Sequence, residues 1–112
     1  SIFFTGATAS LRGGSGFAAF ASAKFALRGL AQSMARELGS EGIHVAHLII
    51  DAGVDTAFVK ERYRDRGIDP DELPQHTLMN PKSVGEAYWM LHNQSRDAWS
   101  HEIDLRPFRE KW

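Results

Sequence analysis

The side chains able to carry chemistry are five histidines, scattered serines and carboxylates, a glycine-rich stretch, and a lysine placed four residues after a phenylalanine. His44 and His47 have the look of a metal pair, but three residues apart on a strand they point to opposite faces and cannot chelate one ion locally. His76, His92 and His101 fall in separate elements, so all five histidines read as structural or surface residues and no metal site is expected. A nucleotide-phosphate cradle needs glycines between a strand and a helix, so that backbone N–H groups can approach the phosphates. Gly14 and Gly16 are followed by Ala19 where a third glycine belongs, and no Gly-Lys-Ser/Thr triplet occurs, so residues 13 to 16 read as a flexible loop. Serine, histidine and aspartate are all present, yet no Gly-x-Ser-x-Gly elbow places a serine nucleophile.

The elements that must position these groups form a strand, a long helix and a second strand. Residues 1 to 6 are β-branched or aromatic and end at a glycine, which predicts a buried strand. Residues 7 to 16 are rich in glycine and hydroxyl side chains and read as a loop. From Phe17 to Leu38 only Gly29 interrupts the pattern, and Phe20, Lys24, Leu27, Ala31, Met34 and Leu38 recur at steps of three or four. That spacing predicts a helix over 17–38, closed by Gly39. Ala18 and Ala21 permit close approach of a neighbour, so this helix is expected to pack on more than one side. Residues 43 to 50 are nearly continuously apolar, as in a parallel strand covered on both faces. Strand, helix and strand then make a right-handed crossover unit.

Asp55 or Thr56 can cap a short helix through about Arg66, with Phe58, Val59 and Tyr63 as its apolar positions. Residues 67 to 80 contain Gly67, Pro70 and Pro74 and read as an excursion with one helical turn near Asp71, Glu72 and Leu73. Loops of this length often cover a site. Asn80 and Pro81 start another helix, in which Val84, Ala87, Tyr88 and Leu91 form an apolar stripe ending near Asn93. Apart from His101, residues 99 to 105 alternate apolar and polar side chains, the pattern of a last strand with one wet face.

At 112 residues the chain has room for one compact core and no second domain. Thirteen basic against fourteen acidic residues leave a net charge of -1, which gives no footprint for nucleic acid or an anionic membrane surface. The absence of cysteine excludes thiolate zinc sites and cysteine nucleophiles and fits a reducing, cytoplasmic setting. No apolar run reaches the roughly 18 residues of a membrane helix. The chain goes from Ser1 straight into an apolar strand, which reads as a piece of a longer chain.

The segment Phe20-Ala21-Ser22-Ala23-Lys24-Phe25-Ala26-Leu27, preceded by a strand and a glycine-rich loop and followed by the strand at 43–50, resembles the C-terminal half of a short-chain dehydrogenase/reductase. In that family a Tyr-x-x-x-Lys pair opens the long helix. Positions i and i+4 share a helix face, so the ammonium lies beside the phenol and a cofactor ribose. The positive charge lowers the phenol pKa and lets it serve as general acid or base in hydride transfer. A serine thirteen residues earlier helps hold the substrate carbonyl. This sequence departs from the pattern at two of the three positions: Phe20 stands at the tyrosine, Ala7 at the serine, and only Lys24 remains. Thr5, Thr8 and Ser10 lie nearby, but a gap-free alignment places none of them at the serine.

The family also has a Pro-Gly turn after the next strand, with an aliphatic residue and a threonine beyond it that meet the nicotinamide carboxamide. Here the stretch is Asp51-Ala52-Gly53-Val54-Asp55-Thr56: Val54 and Thr56 match, the proline is absent, and either Ala52 or Gly53 takes the glycine's place. An ordinary helix start accounts for Val54 and Thr56 equally well, and a plain exposed lysine is the alternative to a ribose contact for Lys24.

The resemblance implies an α/β fold, the C-terminal part of a Rossmann-like doubly wound parallel sheet. Residues 1–112 are expected to be a single fragment, with the N-terminal cofactor-binding half absent. It further implies an NAD(P)-dependent oxidoreductase acting on a small-molecule carbonyl or alcohol, with Lys24, Gly53, Val54 and Thr56 toward NAD or NADP and Lys24, Phe20 and Ala7 at the catalytic positions. With two proton-handling groups replaced, a non-catalytic relative that binds a nucleotide or a partner is the competing reading, and a stand-alone assembly module is a third. A homo-oligomer through helix 17–38 and the C-terminal helix and strand is expected.

Overall fold

The computed structural model describes all residues from Ser1 to Trp112. Three parallel strands form one sheet in the order β1-β2-β3: β1 (Ile2–Ala7), β2 (Val45–Ile50) and β3 (Glu102–Leu105). β2 is central, pairing Ile2 with Val45 through Ala7 with Ile50 on one side and His47 with Glu102 through Ile50 with Leu105 on the other. All six of its residues are buried, as expected of an apolar strand covered on both faces.

Side chains alternate across the sheet, and each face meets a different helix. Ala46, Leu48 and Ile50 pack with Leu91 of α3 (Pro81–His92), joined by Phe3, Val84, Ala87, Tyr88 and Ile103. The predicted stripe of α3 is therefore its buried face. Asn80 caps that helix, its side chain accepting from the Lys82 N–H at 2.8 Å, with Pro81 in the first turn. On the opposite face lies α1 (Ala18–Gly39), of which only Ala21 and Ala31 are buried. Small side chains at those points let the helix lie close to the sheet. The expectation that α1 packs on more than one side is not met within this chain, because Phe20, Phe25 and Leu30 are exposed.

Several boundaries move for local reasons. β1 runs one residue past Gly6, to Ala7, and is followed by an unforeseen helical turn, Thr8–Ser10, in which Ser10 Oγ accepts from the Ala7 N–H at 3.0 Å. Gly39 is the last residue of α1 rather than its stop. The chain turns at Gly42, whose φ of 78° suits glycine, and the Ile43 N–H still bonds to the Leu38 carbonyl, so β2 starts only at Val45. β3 is shorter than the alternation predicts. The Gln94 amide holds Ser100 at both its N–H (2.7 Å) and its hydroxyl (2.9 Å), and Trp99 stacks on His44, which keeps these residues out of the strand.

α2 (Ala57–Asp65) stops one residue before Arg66 and is capped by Thr56, not Asp55. The excursion contains one short helical turn, Pro70–Glu72.

Candidate functional site

In sheets of this kind ligands bind outside the carboxyl ends of the strands. That edge of the molecule gathers Ala7, the loop Thr8–Phe17, the first turns of α1, and the stretch from Asp51 to Thr56 after β2. Phe20 and Lys24 are one turn apart on α1, with the Lys24 ammonium 5.8 Å from the Phe20 ring centroid. Lys24 is half-buried and donates to the Thr5 carbonyl of β1 at 2.8 Å. The ring beneath it has no proton to give, and Ala7, at the end of β1, presents a methyl group.

Each neighbouring hydroxyl is committed elsewhere. Thr5 shares a hydrogen bond of 2.6 Å with the Tyr88 hydroxyl of α3, against the other face of the sheet. Thr8 donates to Asp51 at 2.6 Å, and Ser10 is fully buried as acceptor for Ala7. None of these three hydroxyls replaces the one that Phe20 lacks.

Beyond β2, Gly53 is tightly enclosed: a Cβ there would lie 2.9 Å from Leu78 and 3.1 Å from Val59. Its carbonyl accepts from the Met79 N–H at 2.9 Å, and Val54 forms an isolated parallel bridge to Met79. The Thr56 oxygen accepts from the Val59 N–H at 3.2 Å. The excursion thus returns to the strand end and fixes the turn that carries Gly53, Val54 and Thr56.

Two polar clusters were not foreseen. Asp51 is fully buried and accepts from Thr8 and from Arg106 Nε at 3.1 Å, with Arg12 3.8 Å away. An acid directly after a strand of six buried residues, five of them apolar, at the ligand-binding end of the sheet, was the available signal. In the second cluster, Glu102 of β3 receives a bidentate pair from Arg28 of α1 at 2.9 and 2.6 Å and a bond from His47 Nδ1 at 2.9 Å. Burial pushes the Glu102 carboxyl up, but the bonds from Arg28 and His47 outweigh it and hold the group below its usual range. The same bond to Glu102 raises the Arg28 pKa. The signal here was alternation, which puts His47 and Glu102 on one sheet face. His44 is separately occupied, donating from Nε2 to the Ser100 carbonyl at 2.7 Å.

A parallel sheet flanked by α1 and α3, with the candidate site at its carboxyl edge, defines a Rossmann-like α/β protein. Residues 1–67 match the family model described as short chain dehydrogenase. The chain belongs to the short-chain dehydrogenase family. Among solved structures it is similar to a short-chain dehydrogenase from Rhodopseudomonas palustris, at 51% identity and a TM-score of 0.67, over 96% of this chain and 38% of that one. It is also similar to the closed form of a serine dehydrogenase complexed with NADP+, at 18% identity and a TM-score of 0.78, over 99% of this chain and 45% of that one. The second likeness shows the fold alone. The chain therefore spans less than half the length of either. No curated protein matches it.

Proposed function

We propose that the chain is the C-terminal part of an NAD(P)-dependent short-chain oxidoreductase for a small carbonyl or alcohol compound, in which the usual serine and tyrosine proton relay has been lost. The observation that carries this reading is the Lys24 ammonium set beside a phenyl ring, with Thr5 and Thr8 bonded elsewhere and Ser10 fully buried. The donor set fits the nicotinamide-ribose end of the cofactor. Lys24 uses one of its three N–H donors on Thr5, and Thr56 accepts at its oxygen and retains its own proton. Lys24, Val54 and Thr56 would hold that end, and Gly53 keeps their turn closed. The cofactor, when bound, supplies the hydride; the pyrophosphate contacts fall to a preceding half of the domain.

Surface geometry supports that further half. The accessible surface is 7350 Å², where a compact protein of this mass exposes about 6,200 Å². The radius of gyration is 15.6 Å, against roughly 13 Å for a compact domain of this length. β1 is an edge strand whose Ile2, Phe3 and Phe4 are only partly buried. Exposed Phe25 and Leu30 on α1, and Trp89, Phe108 and Trp112 toward the C-terminus, support a homo-oligomer through those elements. A monodisperse monomer of the full-length protein in solution scattering would refute that part. No helix is long and apolar enough to cross a membrane, and the lack of cysteine supports a cytoplasmic setting.

The test is the double substitution Phe20→Tyr with Ala7→Ser in the full-length protein. NAD(P)H binding without carbonyl reduction before substitution, and reduction gained after it, is the expected result. Strong reduction by the unsubstituted protein overturns the lost relay, and failure to bind NAD(P)H overturns the cofactor assignment.

A further inference from the structure

Arg12 differs from Arg28 and Arg106, the other two arginines that face carboxylates of the sheet and its strand ends. Arg28 is held bidentately by Glu102, and Arg106 bonds both Asp51 and Asp104. Arg12 approaches Asp51 only to 3.8 Å, beyond hydrogen-bond reach but close enough for charge attraction. The Asp51 oxygens already accept from Thr8 and Arg106, so they tether Arg12 electrostatically without occupying its five N–H donors. Its side chain is 50% exposed.

Arg12 lines a cavity of about 240 Å³ between the loop after β1 and the start of α1, with Thr8, Gly13, Gly14, Phe17 and Phe20. Thr8 has given its proton to Asp51 and offers the cavity only an acceptor. Arg12 is thus the sole side-chain donor in a lining otherwise dominated by two phenyl rings and glycines. Around it the charges of Arg12, Arg106, Asp51 and Asp104 balance, and Lys24 beside Phe20 adds a positive one.

We propose that Arg12 anchors the carboxylate of a small organic acid whose apolar portion lies against Phe17 and Phe20. The inference rests on the oxidoreductase reading for the reaction that follows, because it names the substrate class of that site; the anion site itself rests on Arg12, Asp51 and the cavity. Bidentate recognition of a carboxylate is what a planar guanidinium with free donors does best.

The experiment compares 4-methyl-2-oxopentanoate with its methyl ester as probes. Binding to the full-length protein is measured by calorimetry alone and with NADH or NADPH, for the unsubstituted protein, Arg12→Gln and Arg12→Lys. The acid is expected to bind about tenfold or more tightly than the ester, as charge-assisted hydrogen bonds allow. Arg12→Gln should remove the difference, and Arg12→Lys should keep part of it. Equal binding of acid and ester, or a preference that survives Arg12→Gln, overturns the proposal. Should Arg12→Gln fail to fold, the acid-to-ester ratio in the unsubstituted and Arg12→Lys proteins decides. Acid preference with neither NADH nor NADPH bound leaves the anion site standing and sinks the oxidoreductase reading, whereas binding of either cofactor without acid preference does the reverse.

Discussion

Replacing Gly6 by alanine tests how closely the sheet and α1 are fitted together. Gly6 is buried in β1, and a methyl group built there lies 2.3 Å from His47 Nε2, 2.8 Å from His47 Cε1 and 2.9 Å from Ser10 Oγ. The ring cannot simply swing aside, since it is fully buried and its Nδ1 donates to Glu102 at 2.9 Å. Two costs follow. Forcing a methyl into a filled core costs roughly 1–3 kcal/mol, and displacing the ring breaks a hydrogen bond to a charged group worth about 1.5–3 kcal/mol. Together they amount to roughly 2.5–6 kcal/mol, a large part of the 5–15 kcal/mol by which proteins are ordinarily stable. Urea unfolding of the full-length protein should show the midpoint falling by about 1–2 M at an ordinary slope. The control is the same substitution in a His47→Ala background, where the obstructing ring is gone and Gly6→Ala should cost under about 1 kcal/mol by the logic of the double-mutant cycle. If Gly6→Ala is neutral, or costs the same in both backgrounds, the close approach of His47 to β1 is not what requires glycine.

Two further outcomes follow from the buried groups. Because the folded Glu102 carboxyl is held below its unfolded range of about 4.3, the unfolded state binds more protons between the two values. Its stabilising contribution is therefore complete above the unfolded pKa and is lost as pH falls through the folded one; acid unfolding followed by circular dichroism should show Glu102→Gln flattening that dependence, at a cost near neutral pH of about 1–3 kcal/mol. Leu91, fully buried between α3 and β2, should cost about 2–5 kcal/mol on truncation to alanine, read from the urea midpoint.

The fold was legible because its signals are periodic. The continuous apolar run of β2, the 3-4 spacing of α1 and α3, and the Asn80-Pro81 start each follow from backbone geometry and burial, and each reappears in place. What failed to show was set by single side chains acting on distant or local backbone. Gln94 withdraws Ser100 from the last strand, Ser10 folds back on Ala7, and Gly42 rather than Gly39 makes the turn. None of these leaves a period in the sequence, since each is one hydrogen bond or one dihedral. The second side of α1 is legible as apolar, but sequence does not say whether it is covered by this chain or by another, and within this chain it is exposed.

The candidate site was legible in position more than in chemistry. Spacing located Phe20, Lys24 and Ala7, but only the fold shows that Thr5, Thr8 and Ser10 cannot stand in for the missing hydroxyl, because their partners are as much as 83 positions away. The fold also changes what the surviving residues say. Lys24 is bonded to the Thr5 carbonyl and so ties α1 to β1 whether or not a cofactor is present; Thr56 caps α2 and Val54 bridges to Met79. Each has a structural duty sufficient to retain it with or without catalysis. Arg12 is tied more loosely, by charge attraction to Asp51 at 3.8 Å without a hydrogen bond, and is half exposed. A charged side chain that lines a cavity and makes no hydrogen bond to its own protein keeps its donors for a ligand, and that is why the substrate is better sought through Arg12 than through the residues that match the family pattern.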